Sequence, residues 1–207
     1  MGFWSNHVLP ILIEKACRSG AIKEERERWV PRAHGRVLEI GVGSGLNLAF
    51  YDSAKVIEVI GIDPSRSLLL RARERARDAR VPVAFEECSV AQLPFDARSF
   101  DSAVVTYTLC SVDDPTPALR EVARVLKPNA ELFFVEHGLA PDERTRRWQR
   151  GLTPAWKVVG GGCRLDRDPF AQLATAGFTL EETRAAYAED GASWLSFTYE
   201  GVARTTQ

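Results

Sequence analysis

Three glycines at alternate positions follow a short apolar run that carries one acidic residue. The run 37–40 includes Glu39 and leads directly into Gly41, Gly43 and Gly45. Glycine adopts positive φ without strain and has no Cβ, so such a turn can bend sharply and bring backbone N–H groups against a ligand. The pattern predicts a nucleotide-type binding site at the end of a buried strand.

The residue after the third glycine separates two kinds of nucleotide site. Dinucleotide-binding turns have their third glycine one position later, where this chain has Leu46, and this argues against an NAD-dependent oxidoreductase. The spacing G-x-G-x-G after a strand with an acidic residue is similar to motif I of the class I S-adenosylmethionine (SAM) methyltransferases. This resemblance implies SAM as the cofactor, S-adenosylhomocysteine as the product, and Glu39 among the cofactor-binding residues.

A second acidic residue lies about 20 positions beyond the glycine turn, at the end of the next predicted strand. Asp63 is followed by Pro64. A carboxylate at this position can accept hydrogen bonds from both ribose hydroxyls of a bound nucleoside. The alternative is a structural role, in which Asp63 caps a helix whose first residue is Pro64.

The loop after the third predicted strand is expected to contact the adenine. Class I methyltransferases usually have an acidic residue there, and this chain has Ser89 followed by Val90. A hydroxyl accepts a hydrogen bond more weakly than a carboxylate does. The backbone near Val90 is therefore expected to contribute more of the adenine recognition.

The ends of the fourth and fifth predicted strands supply the remaining candidates. In open α/β sheets the ligand lies beyond the carboxyl ends of the strands, so Thr106 and Tyr107 are expected to line the site. His137 ends the fifth strand, whereas His7 and His34 precede the glycine turn. His137 is therefore the candidate base, with a buried structural histidine as the alternative.

A narrower resemblance rests on several short motifs along the chain. The matching segments are 109–112, 136–137, 147–149, 156–157, 162–163 and 165–167. They are similar to those of the small methyltransferase-like alkyl-thiol S-methyltransferases. The resemblance implies methyl transfer to the sulfur of a small thiol, with Cys110, Trp148, Trp156 and Cys163 at the acceptor. For Cys110 the alternative is packing, because free cysteine is often buried.

Other functions share the same cofactor motif. A methyltransferase for a quinone-type, phospholipid or other oxygen, nitrogen or carbon acceptor fits motif I equally well. A metalloid methyltransferase is disfavoured, because only Cys110 and Cys163 could plausibly meet. A non-catalytic protein that binds SAM is the alternative outside the enzymes.

The composition predicts one globular domain of 207 residues, of which 45% are hydrophobic and 27% charged. A net charge of −1 argues against nucleic acid as the main partner. The four cysteines are widely spaced and form no C-x-x-C pair, which predicts no metal site and a reducing, cytoplasmic setting. No apolar stretch approaches the roughly 20 residues of a membrane span, so stable membrane insertion is not expected. The expected partner is a small-molecule acceptor.

The order of the predicted elements gives a Rossmann-like α/β fold with the seven-stranded sheet of the class I methyltransferases. Residues 1–34 are expected to form helices that cover the pocket as a lid, one beginning near Asn6 and one spanning 22–30. The alternative for the first helix is that it packs as ordinary core. Residues 46–51 are predicted to be the first crossover helix, and 127–130 a turn before the fifth strand. Residues 139–166 are expected to fold over the pocket as a substrate-side insertion, too glycine-rich for one long helix.

Overall fold

The computed structural model describes residues 20–188 and 192–205. The helix predicted to begin near Asn6 lies outside these residues. The strands are β1 (Gly35–Ile40), β2 (Val56–Ile62), β3 (Val83–Glu86), β4 (Phe100–Thr106), β5 (Leu126–His137), β6 (Phe178–Tyr187) and β7 (Phe197–Thr205). The helices are α1 (Gly20–Trp29), α2 (Arg66–Ala76), α3 (Pro115–Val125), α4 (Glu143–Val159), α5 (Pro169–Thr175) and α6 (Ser193–Ser196), and a 3-10 turn covers Val30–Arg32.

The seven strands form one sheet in the order β3-β2-β1-β4-β5-β7-β6. The neighbours from β3 to β5 pair in parallel, while β7 pairs antiparallel with both β5 and β6. This is the Rossmann-like class I methyltransferase sheet that the sequence predicts. Strands β6 and β7 form a terminal antiparallel pair.

Alternate residues of the central strands supply the two cores on either face of the sheet. Leu38 of β1 and Phe134 of β5 pack on one face, while Val37 and Phe133, their chain neighbours, pack on the other. All four side chains are at most 1% exposed. Strands buried on both faces read as continuous apolar runs, which is why β1, β4 and β5 were recognisable from sequence.

Two local predictions after β1 and before the main part of β5 are wrong. Residues 46–51 form no helix, because the turn is closed by short-range bonds such as Gly45 N–H to the Val42 carbonyl (2.8 Å) and Phe50 N–H to the Asn47 carbonyl (2.9 Å). The 127–130 segment does not precede β5 but lies within it as an irregularity, with Asn129 at φ 61°.

The prediction that 139–166 contains no long helix is also wrong. Helix α4 runs for 17 residues from Glu143 to Val159 and is capped by the Asp142 side chain, which accepts from Thr145 N–H at 2.8 Å. The glycines that argued against a helix come after its end, where Gly161 and Gly162 have φ of 65° and 94°. They terminate the helix rather than interrupt it.

Within residues 20–188 and 192–205, every helix is too short or too polar to cross a bilayer.

Candidate active site

The sequence-predicted cofactor residues and His137 converge on the edge of the sheet where the parallel strands end. Strand order reverses between β1 and β4, which creates the crevice where open α/β sheets bind ligands. Along this edge lie Gly41–Gly45 after β1, Asp63 and Pro64 after β2, Ser89 and Val90 after β3, Thr106 and Tyr107 at the end of β4, and His137 at the end of β5.

All three glycines have positive φ, and at two of them a Cβ would also come too close to a neighbouring side chain. Gly41 has φ of 65°, and a Cβ there would lie 2.2 Å from Thr108 Oγ1. Gly45 has φ of 81°, and its Cβ would lie 2.9 Å from Leu48 Cδ1. Gly43 also has positive φ, 55°, but its surroundings are open, the nearest atom being the Gly41 carbonyl oxygen at 3.8 Å. The turn therefore exposes bare backbone at Gly43, where a ligand can approach closely.

Asp63 ties this turn to the end of β2. Its Oδ2 accepts from Gly43 N–H at 3.0 Å, and its Oδ1 accepts from Ser65 N–H at 2.8 Å. A carboxylate has about four lone-pair positions, so both oxygens keep acceptor capacity for a ligand hydroxyl. Burial raises the pKa of Asp63 above its ordinary value, although the two N–H donors oppose the shift. Helix α2 begins at Arg66, so Pro64 precedes the helix instead of opening it.

Glu39 is placed behind the turn, which differs from its predicted contact with the cofactor. It is 1% exposed, and its oxygens accept from Asn47 Nδ2 at 3.1 Å and from the Tyr51 hydroxyl at 2.9 Å. Asn47 also donates to Thr106 Oγ1 at 3.1 Å and accepts from Arg26 Nε at 2.9 Å. Burial raises the pKa of Glu39 to about 7. Glu39 thus supports the glycine turn from inside and links it to β4 and α1.

Tyr107 and His137 lie beside each other at the ends of β4 and β5. Their ring centroids are 4.6 Å apart, and Tyr107 has φ of 53°. The Tyr107 hydroxyl donates to Glu25 of α1, whose other oxygen accepts from Thr198 Oγ1 at 3.0 Å. Burial lowers the pKa of His137 to about 4, so its imidazole is neutral at physiological pH. His137 Nδ1 is buried and makes no hydrogen bond within the described ranges.

The loop after β3 is open to solvent at one of the two predicted adenine residues. Ser89 is exposed, and its hydroxyl accepts from Ala91 N–H at 3.2 Å. Val90 is 7% exposed and belongs to the core. The hydroxyl can still donate to or accept from a ligand, while the side chain of Val90 cannot reach one.

Glu136 organises the loop 108–113 that follows Tyr107, a role that the sequence did not reveal. Its carboxylate is fully buried and accepts backbone N–H groups of Thr108 (2.7 Å), Leu109 (2.8 Å) and Cys110 (3.3 Å). Burial raises the pKa of Glu136 to about 7, and the three donors oppose this shift. An acidic residue beside a strand-end histidine is the only sequence signal for this role.

Arg167 holds the same loop by its carbonyl groups. Its guanidinium is 8% exposed and donates to the carbonyl oxygens of Leu109 at 2.6 Å and Asp113 at 2.8 Å, and also to that of Val112. The loop is therefore fixed on both sides, by Glu136 at its N–H groups and by Arg167 at its carbonyls. Glu136 and Arg167 form no direct ion pair. Each buried charge is instead compensated by hydrogen bonds to peptide groups of the loop between them.

Three of the four predicted acceptor residues meet in one apolar cluster. Cys110 and Cys163 are 3% and 7% exposed and pack with Leu165. Trp156 borders this cluster, and its ring centroid lies 5.2 Å from that of Trp194, a residue that the sequence did not single out. The cluster lies next to the loop that Glu136 and Arg167 fix.

Trp148 lies apart from this cluster. It is 61% exposed on the outer side of α4, where it lines a cavity of ≈ 630 Å³ together with Leu152 and Trp194. A second cavity, of ≈ 380 Å³, lies between α1 and the glycine turn and is lined by Arg26, Leu46 and other residues.

Metal-ligating side chains do not cluster in the structure. Within residues 20–188 and 192–205, no group of three or more His, Cys, Asp and Glu side chains could hold a metal ion.

Comparison with known proteins gives a consistent result. Residues 38–134 match the family described as methyltransferase domain. Thiol S-methyltransferase TMT1B of Rattus norvegicus is 36% identical over 148 residues, 69% of this chain and 59% of that protein. Phosphatidylethanolamine N-methyltransferase of Cereibacter sphaeroides is 35% identical over 105 residues, 50% of this chain and 51% of that protein. A SAM-dependent methyltransferase structure from Methanosarcina mazei superposes with a TM-score of 0.63 at 25% identity, covering 84% of this chain and 93% of that one.

The chain thus spans about six-tenths of the length of the thiol S-methyltransferases that it matches.

Proposed function

Residues 38–134 form a methyltransferase domain, and from this premise we propose that the chain transfers the methyl group of SAM to the sulfur of a small, apolar thiol. One observation carries the proposal. The glycine turn, hydrogen-bonded to Asp63 at the switch point of the sheet, lies on the same edge as the loop that leads into the apolar Cys110 cluster. A cofactor site and an acceptor site are therefore adjacent.

The residues at the turn fit SAM. The open space at Gly43 lets the methionine moiety approach the backbone closely, and Asp63 retains lone pairs for the ribose hydroxyls. Ser89 and the backbone at Val90 are available to the adenine. When bound, SAM supplies a methyl carbon activated by its sulfonium. The protein's own task is to hold a nucleophile in line with it and to exclude water.

The acceptor side favours an apolar sulfur compound. Cys110, Cys163, Trp156 and Trp194 supply sulfur and aromatic surface, and sulfur makes favourable contacts with aromatic rings. The similarity to thiol S-methyltransferases over 69% of the chain agrees with this chemistry. The small-molecule partner and a cytoplasmic location remain parts of this proposal.

His137 acts in this scheme as an acceptor that orients the thiol. Its pKa of about 4 makes it too weak a base to hold a proton taken from a thiol, whose pKa is near 8.5. Among the described residues its Nδ1 has no hydrogen-bond partner. This nitrogen can instead accept a hydrogen bond from the S–H group of the acceptor thiol. The oriented thiol then gives its proton to solvent, and the thiolate formed in place reacts.

A second candidate is methylation of a phospholipid or quinone-type acceptor. It is favoured by the similarity to a phosphatidylethanolamine N-methyltransferase, which also spans the cofactor motif. The two candidates share the cofactor site and differ in the atom that receives the methyl group.

The test offers the purified protein matched thiol, phenol and amine acceptors of the same hydrophobic group, with methyl-labelled SAM. The proposal predicts label in the thioether product, with little in the ether or methylamine. Turnover of the phenol or the amine, without turnover of the thiol, would overturn the thiol assignment and leave the methyltransferase activity in place.

A further inference from the structure

Cys110 and Cys163 pack together in one buried cluster, although 52 residues lie between them in sequence. The two segments are held together by a backbone hydrogen bond from Arg164 N–H to the Cys110 carbonyl, 2.9 Å long. Both cysteines are reduced in the structure. Chains hydrogen-bonded at neighbouring residues are spaced as disulfide-linked chains are, so a bond between these sulfurs needs little backbone movement.

The two thiols are not equivalent. A hydrogen bond from the Cys110 thiol, and then the indole of Trp156, lower the pKa of Cys163 below its ordinary value despite burial. The same hydrogen bond, followed by burial, raises the pKa of Cys110. Cys163 is therefore the more acidic thiol of the pair.

Access also differs between the two sulfurs. Cys163 directly follows the glycines 160–162, which carry no side chains to cover it, and Gly161 is exposed. Cys110 is 3% exposed beneath the loop that Glu136 and Arg167 fix. A small oxidant reaches Cys163 first.

We propose that Cys163 and Cys110 form a peroxide-reactive pair in the wall of the acceptor cluster, in which Cys163 attacks and Cys110 resolves. The Cys163 thiolate attacks one oxygen of hydrogen peroxide, the O–O bond breaks, and hydroxide leaves and becomes water with a proton from solvent, while Cys110 keeps its proton for the second step. Cys163 is then a sulfenic acid. The Cys110 sulfur attacks it, an S–S bond forms, and a second water leaves.

The disulfide would join the loop 108–113 to the segment that follows α4. It would also replace two hydrogen-bonding thiols in the acceptor cluster by one sulfur–sulfur bond. The proposal concerns the reactivity of the two thiols and does not depend on which acceptor is methylated. The test measures the masses of oxidised peptides and not enzyme turnover. The proposal about the cysteines can therefore fail while the proposed function stands.

The experiment treats the full-length protein with hydrogen peroxide, alkylates remaining thiols, and maps the peptides by mass spectrometry without reduction. The expected product is a 110–163 linked peptide that has lost two hydrogen atoms. In Cys110→Ser, Cys163 should stop at a sulfenic acid that dimedone traps. In Cys163→Ser, oxidation at Cys110 should be slowed by about tenfold or more, because the thiolate is gone.

Cys88 provides an internal control. It is partly buried, and burial together with Glu86 raises its pKa, so its alkylation should be unaffected at peroxide levels that link the pair. The proposal would be overturned if no 110–163 linked peptide formed at peroxide levels that already oxidise Cys88. It would also be overturned if dimedone labelled Cys110 in Cys163→Ser as fast as the pair is oxidised in the wild type. Linkage of either cysteine to Cys17, in place of the 110–163 bond, would overturn it as well.

Discussion

At the scale of single residues, the hydrogen bonds that each buried polar side chain already makes limit the chemistry that it can perform. Glu39 and Glu136 are fully buried carboxylates whose oxygens accept hydrogen bonds from groups around them, so neither can serve as a free base. His137 keeps one ring nitrogen without a partner in the part of the chain that the structure describes. The strand-end residue with spare hydrogen-bonding capacity is therefore a neutral histidine.

Replacing His137 by alanine tests its orienting role. We expect His137→Ala to lower kcat for a thiol acceptor by about 10²-fold or less at neutral pH. The loss should shrink as the pH rises toward the thiol pKa, because the thiolate has no S–H to orient. The measurement is the pH profile of kcat beside that of His34→Ala, a half-exposed histidine before β1. A loss of equal size at every pH, with reduced stability, would mean that His137 is structural.

The position of Glu39 shows where sequence reasoning reached its limit among residues. The glycines, Asp63 and His137 were found because their types and spacing report their place at strand ends. Whether Glu39 points toward the ligand or behind the turn depends on Asn47 and Tyr51, whose contacts no local pattern predicts. The hydrogen bonds by which Glu136 and Arg167 hold the loop 108–113 could not be predicted for the same reason, because their partners are backbone groups.

At the scale of elements, α1 is attached to the sheet by buried polar contacts. Glu200 of β7 is 3% exposed, accepts from Trp29 Nε1 at 2.7 Å and pairs with Arg28 at 2.6 Å. Glu25 of the same helix bonds to Tyr107 and Thr198. The described part of the predicted lid, 20–34, is thus fastened over the β4 end, and we propose that it forms a fixed wall of the site.

Glu200→Ala should therefore destabilise the protein by about 1–3 kcal/mol, because it leaves the buried Trp29 indole N–H without a hydrogen-bond partner. The matched control is Glu182→Ala, which removes an ion pair with Arg32 on the surface and should cost about 1 kcal/mol or less. Denaturant unfolding of both variants measures the difference. Equal small losses would show that α1 is held by other contacts.

Helix α4 explains why one element was missed from sequence. Its buried face consists of Thr145, Gln149 and Thr153, spaced four residues apart, and so shows no apolar stripe. Gln149 is 1% exposed and satisfied, since it accepts from Ala140 N–H at 2.8 Å and donates to the Gly138 carbonyl at 3.0 Å. Hydrophobic periodicity cannot detect a helix that packs through hydrogen bonds. The strands, by contrast, bury apolar side chains on both faces and were placed within a few residues.

At the scale of the whole molecule, buried carboxylates make stability depend on pH near neutrality. The pKa values of Glu39 and Glu136 are raised from 4.5 to about 7 in the folded protein. The folded state therefore binds more protons than the unfolded state between these values. Their contribution to stability is complete below about pH 4.5 and is lost as the pH rises through about 7.

Glu39→Gln isolates one of these groups and keeps acceptors and donors for Asn47 and Tyr51. We expect the variant to lose part of the fall in unfolding free energy between about pH 4.5 and 7, amounting to up to about 3 kcal/mol for one such group. The check is denaturant unfolding at several pH values for wild type and variant. Parallel pH profiles would mean that Glu39 is ionised throughout this range.

The topology of the whole chain was the part most readily predicted. The alternation of buried strands with helices fixes a parallel sheet, and a right-handed crossover rule places the strand ends together. Seven strands in this order bring Gly41–Gly45 and Asp63 to one edge whatever the surface loops do. The positions of the proposed cofactor residues therefore followed from the sequence, whereas those of the proposed acceptor residues depend on tertiary contacts of the segments after β5.

The central claim is that SAM binds on the glycine turn with its ribose on Asp63, and calorimetric titration with S-adenosylhomocysteine tests it most directly. Wild type and Asp52→Ala, a control aspartate in a surface turn, should bind with micromolar affinity. Asp63→Ala should bind more weakly by about 1.5–3 kcal/mol, the cost of losing hydrogen bonds to a charged group. No binding by wild type, or the same affinity in Asp63→Ala as in wild type, would contradict the account.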